Sequence, residues 1–127
     1  MIEHSDSICV KRVGGKGRGV FARRPIAEGA IIERVPGLLA PLEQATGVAS
    51  CPILSRYVFL RNRSTVAVAL GYGSLYNHSY SPNARYDEEP GALMAFTALR
   101  PIATGEEITI NYNGDPEDRA PVGFEVR

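Results

Sequence analysis

With 127 residues, 14 Lys+Arg against 14 Asp+Glu and 44% hydrophobic residues, the chain is one domain's worth of ordinary globular protein. Zero net charge excludes a global field that would draw nucleic acid or an anionic membrane, and the hydrophobic content excludes a disordered chain. The 13 glycines and 9 prolines argue against a helical bundle, while two cysteines and two histidines with no CxxC argue against a zinc cluster.

The chain opens MIEHSDSICVKR, with no secretory signal, and nowhere holds a run of about 18 apolar residues, so a soluble intracellular protein is expected, cytoplasmic if bacterial. Residues 8–13 and 20–22 read as strands around the glycine loop GGKGRG. RPIAEG at 24–29 is a turn, and residues 30–35 form a strand that Pro36-Gly37 should close. A short helix is expected over 41–45, then strands over 54–60 and 64–70 around Arg61-Asn62-Arg63. Residues 71–83, rich in aromatic and amide side chains, read mostly as shaped loop. Residues 92–98 are a strand, and RPIATG at 100–105 repeats the earlier turn, as an equivalent strand connection. In EEITINY, alternation sets Ile108, Ile110 and Tyr112 on one face and Thr109 and Asn111 on the other. The tail DPEDRAPVGFEVR is either frayed or folded back.

Three features could carry chemistry. Closely spaced glycines let a backbone approach a ligand. GGKGRG lacks the Lys-Ser/Thr of a P-loop, and Gly17-x-Gly19-x-x-Ala22 runs into Pro25 where a dinucleotide fold needs a helix, so a plain hairpin turn is the competing reading. Asn77-His78 can read a purine edge or satisfy loop backbone. Tyr112 is either a tethered core residue or a site residue. Cys51 with His78 as a nucleophilic pair lacks any flanking signature.

Taken together and in order, GKGRGVFA, LYNHSYSPNARY and GEEITINY resemble the SET domain, the family of S-adenosyl-L-methionine-dependent protein-lysine methyltransferases. The third block is similar to the family's GEELTFDY and the second to its NHSxxPN. The resemblance runs from about Val10 to Tyr112. It implies a mainly β fold with short helices, small sheets around a C-terminal pseudoknot, with residues 1–127 as one domain and 113–127 as a tail. It further implies that S-adenosyl-L-methionine lies against Lys16, Gly17, Arg18, Asn77, His78 and Tyr112, with Tyr112 as the catalytic tyrosine and Tyr86 in the lysine channel. No metal is needed. No zinc module follows Tyr112, so Phe124 is the candidate aromatic lid, and Tyr80 stands where many relatives carry a cysteine. A lysine-bearing protein or peptide is the implied substrate, with neither nucleic acid nor membrane as partner, and a homodimer is an expectation from small relatives. The alternative is a SET-like module that binds cofactor or peptide without catalysis. Asp87-Glu88-Glu89 and Asp115, Glu117 and Asp118 either flank a basic peptide or are solvated turns.

Overall fold

Short apolar runs separated by glycine turns cannot make long helices, and they fold here as strands. The computed structural model describes residues 6–15, 17–43 and 57–122. Among these, β1 (Ile8–Val13), β2 (Gly17–Ala22), β9 (Glu107–Ile110) and β6 (Asn77–His78) form one sheet in the order β1-β2-β9-β6. The second sheet runs β4-β5-β3-β8-β7, from β4 (Val58–Leu60), β5 (Thr65–Ala69), β3 (Ile31–Pro41), β8 (Leu93–Ala98) and β7 (Ala84–Glu89). No described helix is long and apolar enough to cross a membrane.

Two of the connections between the sheets are the two RPIAxG segments. Ile26 and Ile102 exchange both backbone hydrogen bonds at 2.8 Å, so the segments lie antiparallel to one another. Gly29 N–H donates to Ala98 O, and Gly105 N–H donates to Ala22 O, each at 2.8 Å. Both glycines have left-handed φ, +80° and +86°, a conformation that favours glycine. One turn carries the chain from β2 to β3 and the other from β8 to β9, so they exchange strands between the sheets in opposite directions. Ile102, Ile108, Ile110, Val20 and Phe96 fill the core where the sheets meet. Burial of each such side chain contributes about 1.5–3 kcal/mol.

Some expected boundaries move. β3 passes through Pro36-Gly37 to Pro41, because the strand changes partner there: it pairs with β8 as far as Pro36 and with β5 from Gly37 onward. A proline that cannot donate is tolerated at such a junction. Pro41 ends the strand and the expected helix starts one residue later, with Leu42 and Glu43 helical and residues 44–45 outside the described residues. β7 has no counterpart in the sequence patterns. It is an edge strand with Arg85, Asp87 and Glu88 exposed, and its polar composition hides it. Asn77-His78, expected in loop, is a strand parallel to β9, with Asn77 opposite Thr109 and His78 opposite Ile110. Residues 79–83 are then stitched to β9: Ser79 N–H donates to Ile110 O at 2.9 Å. The buried Asn83 donates to Glu107 O at 2.8 Å and accepts from Thr109 N at 2.9 Å.

Candidate active site

The glycine loop is the connection of the β1–β2 hairpin, in which Val13 pairs with Gly17. Gly17 is exposed with φ +80°. Gly19, two residues on, is buried, and a Cβ there would stand 2.5 Å from Glu107 Oε2 and 2.8 Å from Asn77 Nδ2. Only glycine lets these two side chains close on the strand. Asn77 Nδ2 donates to Arg18 O at 3.0 Å and to Glu107 Oε2 at 2.7 Å. The amide nitrogen is thereby committed and its oxygen is turned to accept. Arg18, Asn77 and Glu107 thus meet from three strands. Gly17 lies at the hairpin end beside them, and Lys16 lies outside the described residues.

Tyr112 is held at both ends by the segment 76–78. Its N–H donates to His78 Nδ1 at 2.9 Å, and its hydroxyl donates to Tyr76 O at 2.6 Å. Acceptance at Nδ1 requires an unprotonated nitrogen there, and burial lowers the His78 pKa in the same direction. The Tyr112 ring is half-buried, 5.2 Å from that of His78 between centroids. Burial, then the neighbouring Tyr57 and Glu107, push its phenol up to about 12. At neutral pH Tyr112 is a hydrogen-bond donor and not a base.

Tyr86 comes to the same place from β7. Its hydroxyl donates to Tyr112 O at 3.4 Å, and its ring lies 4.6 Å from that of Phe59, on β4. Burial first, and Asp87 second, raise its pKa. Tyr86 and Tyr112, backed by Phe59, therefore bring aromatic rings together next to the Tyr112 backbone, while the Tyr76 ring is buried against Phe96 and contributes its carbonyl. Aromatic faces and oxygen acceptors suit a cationic ligand. The tail is folded back as far as Ala120: Tyr80 Oη and Asn113 Nδ2 both donate to Ala120 O, at 2.9 and 2.8 Å, and Asn111 Nδ2 donates to Asp118 O at 2.7 Å. Phe124 and Cys51 lie outside the described residues. A separate hollow of about 450 Å³ lies between Tyr80, Pro82, Leu99 and Pro116, and none of Asn77, His78, Tyr86 or Tyr112 lines it.

Sequence reasoning missed Glu107, Phe59 and Tyr76. Glu107 was visible only as one of two adjacent glutamates, and a partly buried acid on an alternating strand was the available signal. Five of the six acidic side chains in the two clusters have partners within the chain. Asp87 pairs with Arg85, Glu88 with Arg61 and Glu89 with Arg34, while Asp115 and Asp118 accept backbone N–H groups two residues ahead.

A family model described as the SET domain matches residues 17–113. The chain is 34% identical over 98 residues to the histone-lysine N-methyltransferase, H3 lysine-37 specific, of Schizosaccharomyces pombe, covering 76% of this chain and 67% of that protein. It also superposes with a TM-score of 0.69 on the crystal structure of a Plasmodium falciparum protein assigned as a histone methyltransferase, at 28% identity over 86% of this chain and 95% of the other.

Proposed function

The chain belongs to the SET domain family and is a protein-lysine methyltransferase, and on that premise we propose that it transfers a methyl group from S-adenosyl-L-methionine to a lysine side-chain amine, with Tyr112 at the reacting atoms. The observation that carries this reading is the double anchoring of Tyr112 on segment 76–78, the segment that also aims Asn77.

The residues fit the cofactor. Gly19 lets Asn77 and Glu107 close on β2, and the oxygen acceptors gathered there, Arg18 O, the Asn77 amide oxygen and the Glu107 carboxylate, suit its ammonium and sulfonium cations. Arg18, Asn77 and His78 would hold it together with Gly17 at the hairpin end, and Lys16 is assigned to the same role. When bound, S-adenosyl-L-methionine supplies an electrophilic methyl on a sulfonium sulfur, which the amine lone pair displaces in line.

What this chain contributes is alignment and the lysine's protonation state. A free lysine has a pKa of about 10.4. Entry between Tyr86, Tyr112 and Phe59 desolvates the ammonium and lowers that value, so the amine sheds its proton to water. Tyr112, with a phenol near 12, takes no part as a base. Its hydroxyl proton is given to Tyr76 O, which leaves the phenol oxygen's lone pairs to orient the incoming groups. Positioning of this kind supplies much of a displacement's rate. Residues 1–127 act as one domain, and the tail pinned by Tyr80, Asn111 and Asn113 serves as lid, with Phe124 as its aromatic residue. Lysine-bearing basic segments such as histone tails are the substrates to assay first, since both relatives are described as histone methyltransferases.

The test is methyl transfer to a histone mixture followed by mass spectrometry, with calorimetry of S-adenosyl-L-methionine binding alongside. Tyr112→Phe is expected to lower kcat by about 100-fold while binding persists, and Asn77→Ala to weaken binding itself. Full activity in Tyr112→Phe would overturn the reading.

A further inference from the structure

Glu33 is a carboxylate buried to 6% exposure in the core-facing part of β3. It comes to lie there through a β-bulge. Ile31 pairs with Thr97 but Glu33 pairs with Phe96, so Ile32 is an extra residue, and both Ile32 and Glu33 turn inward. The polar groups that meet Glu33 come from the loop that leads into β6. Tyr72 N–H donates to its carboxylate. Gly71, at φ +61°, passes so close that a Cβ would stand 3.1 Å from Oε2. Tyr76, 1% exposed, donates its hydroxyl to Oε1 at 2.9 Å and stacks on Phe96 at 4.6 Å between centroids.

Burial disfavours the charged carboxylate and raises its pKa. Apolar residues at 33 and 76 would fill the same space without that penalty. What the pair adds is placement. Its two ties fall at Tyr72 and Tyr76, so the carboxylate grips the loop on both sides of Gly73-Ser74-Leu75. The far end of that loop is Tyr76 O, the acceptor of the Tyr112 hydroxyl, followed at once by Asn77 and His78.

We propose that Glu33 and Tyr76 are positioning residues, a buried clamp that fixes the Tyr76 carbonyl and through it the direction of the Tyr112 hydroxyl. Their substitution disturbs the orientation of Tyr112 before it disturbs the fold. The inference rests on the role given to Tyr112 above.

The test labels the protein with 3-fluorotyrosine, whose more acidic phenol titrates within the stable pH range, and follows ¹⁹F resonances. The Tyr112 resonance is the one lost in Tyr112→Phe. In the unmutated protein it should titrate above the exposed tyrosines. Tyr76→Phe keeps the ring on Phe96, and Glu33→Gln keeps the volume. In each, the Tyr112 resonance should shift and its titration fall toward that of the exposed tyrosines, with kcat down about tenfold and KM for S-adenosyl-L-methionine unchanged. The double variant should lose no more than the worse single one, because both residues act through one contact. An unmoved Tyr112 resonance in variants that merely melt earlier would overturn the clamp. That readout needs no turnover, so it fails separately from the methyltransfer assay of Tyr112→Phe.

Discussion

The two RPIAxG turns share a sequence, a glycine conformation and each other's backbone hydrogen bonds, yet only one of them borders the site. In the first, Arg24 reaches Asp6 at 3.1 Å, and both side chains are more than half exposed. In the second, Arg100 donates to Pro82 O at 3.0 Å and lies 3.6 Å from Glu106. Glu106 in turn accepts from Ala103 N and from Asn83 Nδ2, each at 3.0 Å. The residue that follows the glycine makes the difference: Ala30 after Gly29, Glu106 after Gly105. A turn's shape is thus local chemistry, whereas its role depends on one side chain beyond it and on what that side chain can reach.

The largest effect should come from the contact that the first turn has no equivalent for. Asn83→Ala removes the buried amide that ties residues 79–83 to β9 and strands the part-buried Thr109 N–H. Urea unfolding should show a loss of about 3 kcal/mol, with methyl transfer lowered in the surviving folded protein. A loss below that of either turn glycine would break the comparison. Gly29→Ala and Gly105→Ala come next. A methyl group added at either position would meet no heavy atom within 4 Å, so backbone strain alone acts, and both should cost about 1 kcal/mol by the same measurement. Unequal losses would show that the surroundings, and not the turn, set the strain.

The smallest effect separates the turns by pH. The Ala103 N–H, the Asn83 amide and then Arg100 hold the Glu106 pKa below its usual value. Because the folded value is the lower one, this stabilisation is complete above pH 4.5 and is lost as pH falls through the folded pKa. Glu33 has the opposite sign: its raised pKa gives a contribution present below the ordinary value and lost as pH rises. Between about pH 5 and 3, Glu106→Gln should therefore lose less stability than the unmutated protein in thermal melts. An identical acid limb would detach Glu106 from the network.

Much of this was legible in the chain. Both turns, the alternation of β9 and the triad of motifs that carry Asn77, His78 and Tyr112 are local patterns, and local patterns survive in sequence. Three things were not. The burial of Glu33 depends on a bulge against β8, and nothing in AIIERV announces an extra residue. The strand character of Asn77-His78 comes from β9, far along the chain, and two residues have no periodicity of their own. β7 hides because its outward side chains are charged and paired with arginines from β3 and its neighbours. In each case the deciding partner is distant, which is where propensity and pattern lose their grip.

The place of β9 between β2 and β6 has a consequence for how the protein comes into being. A ribosome releases Arg18, Gly19, Asn77 and His78 well before Glu107 and Tyr112. Until the late strand slides into its slot, the edges of β2 and β6 have no partner and Asn77 has no carboxylate to close upon. Such non-local pairing is slow to form and leaves strand edges open to wrong partners meanwhile. A nascent chain stopped short of Glu107 would own most of its hydrophobic interior but lack Glu107 and Tyr112, so competence arrives in a single late event.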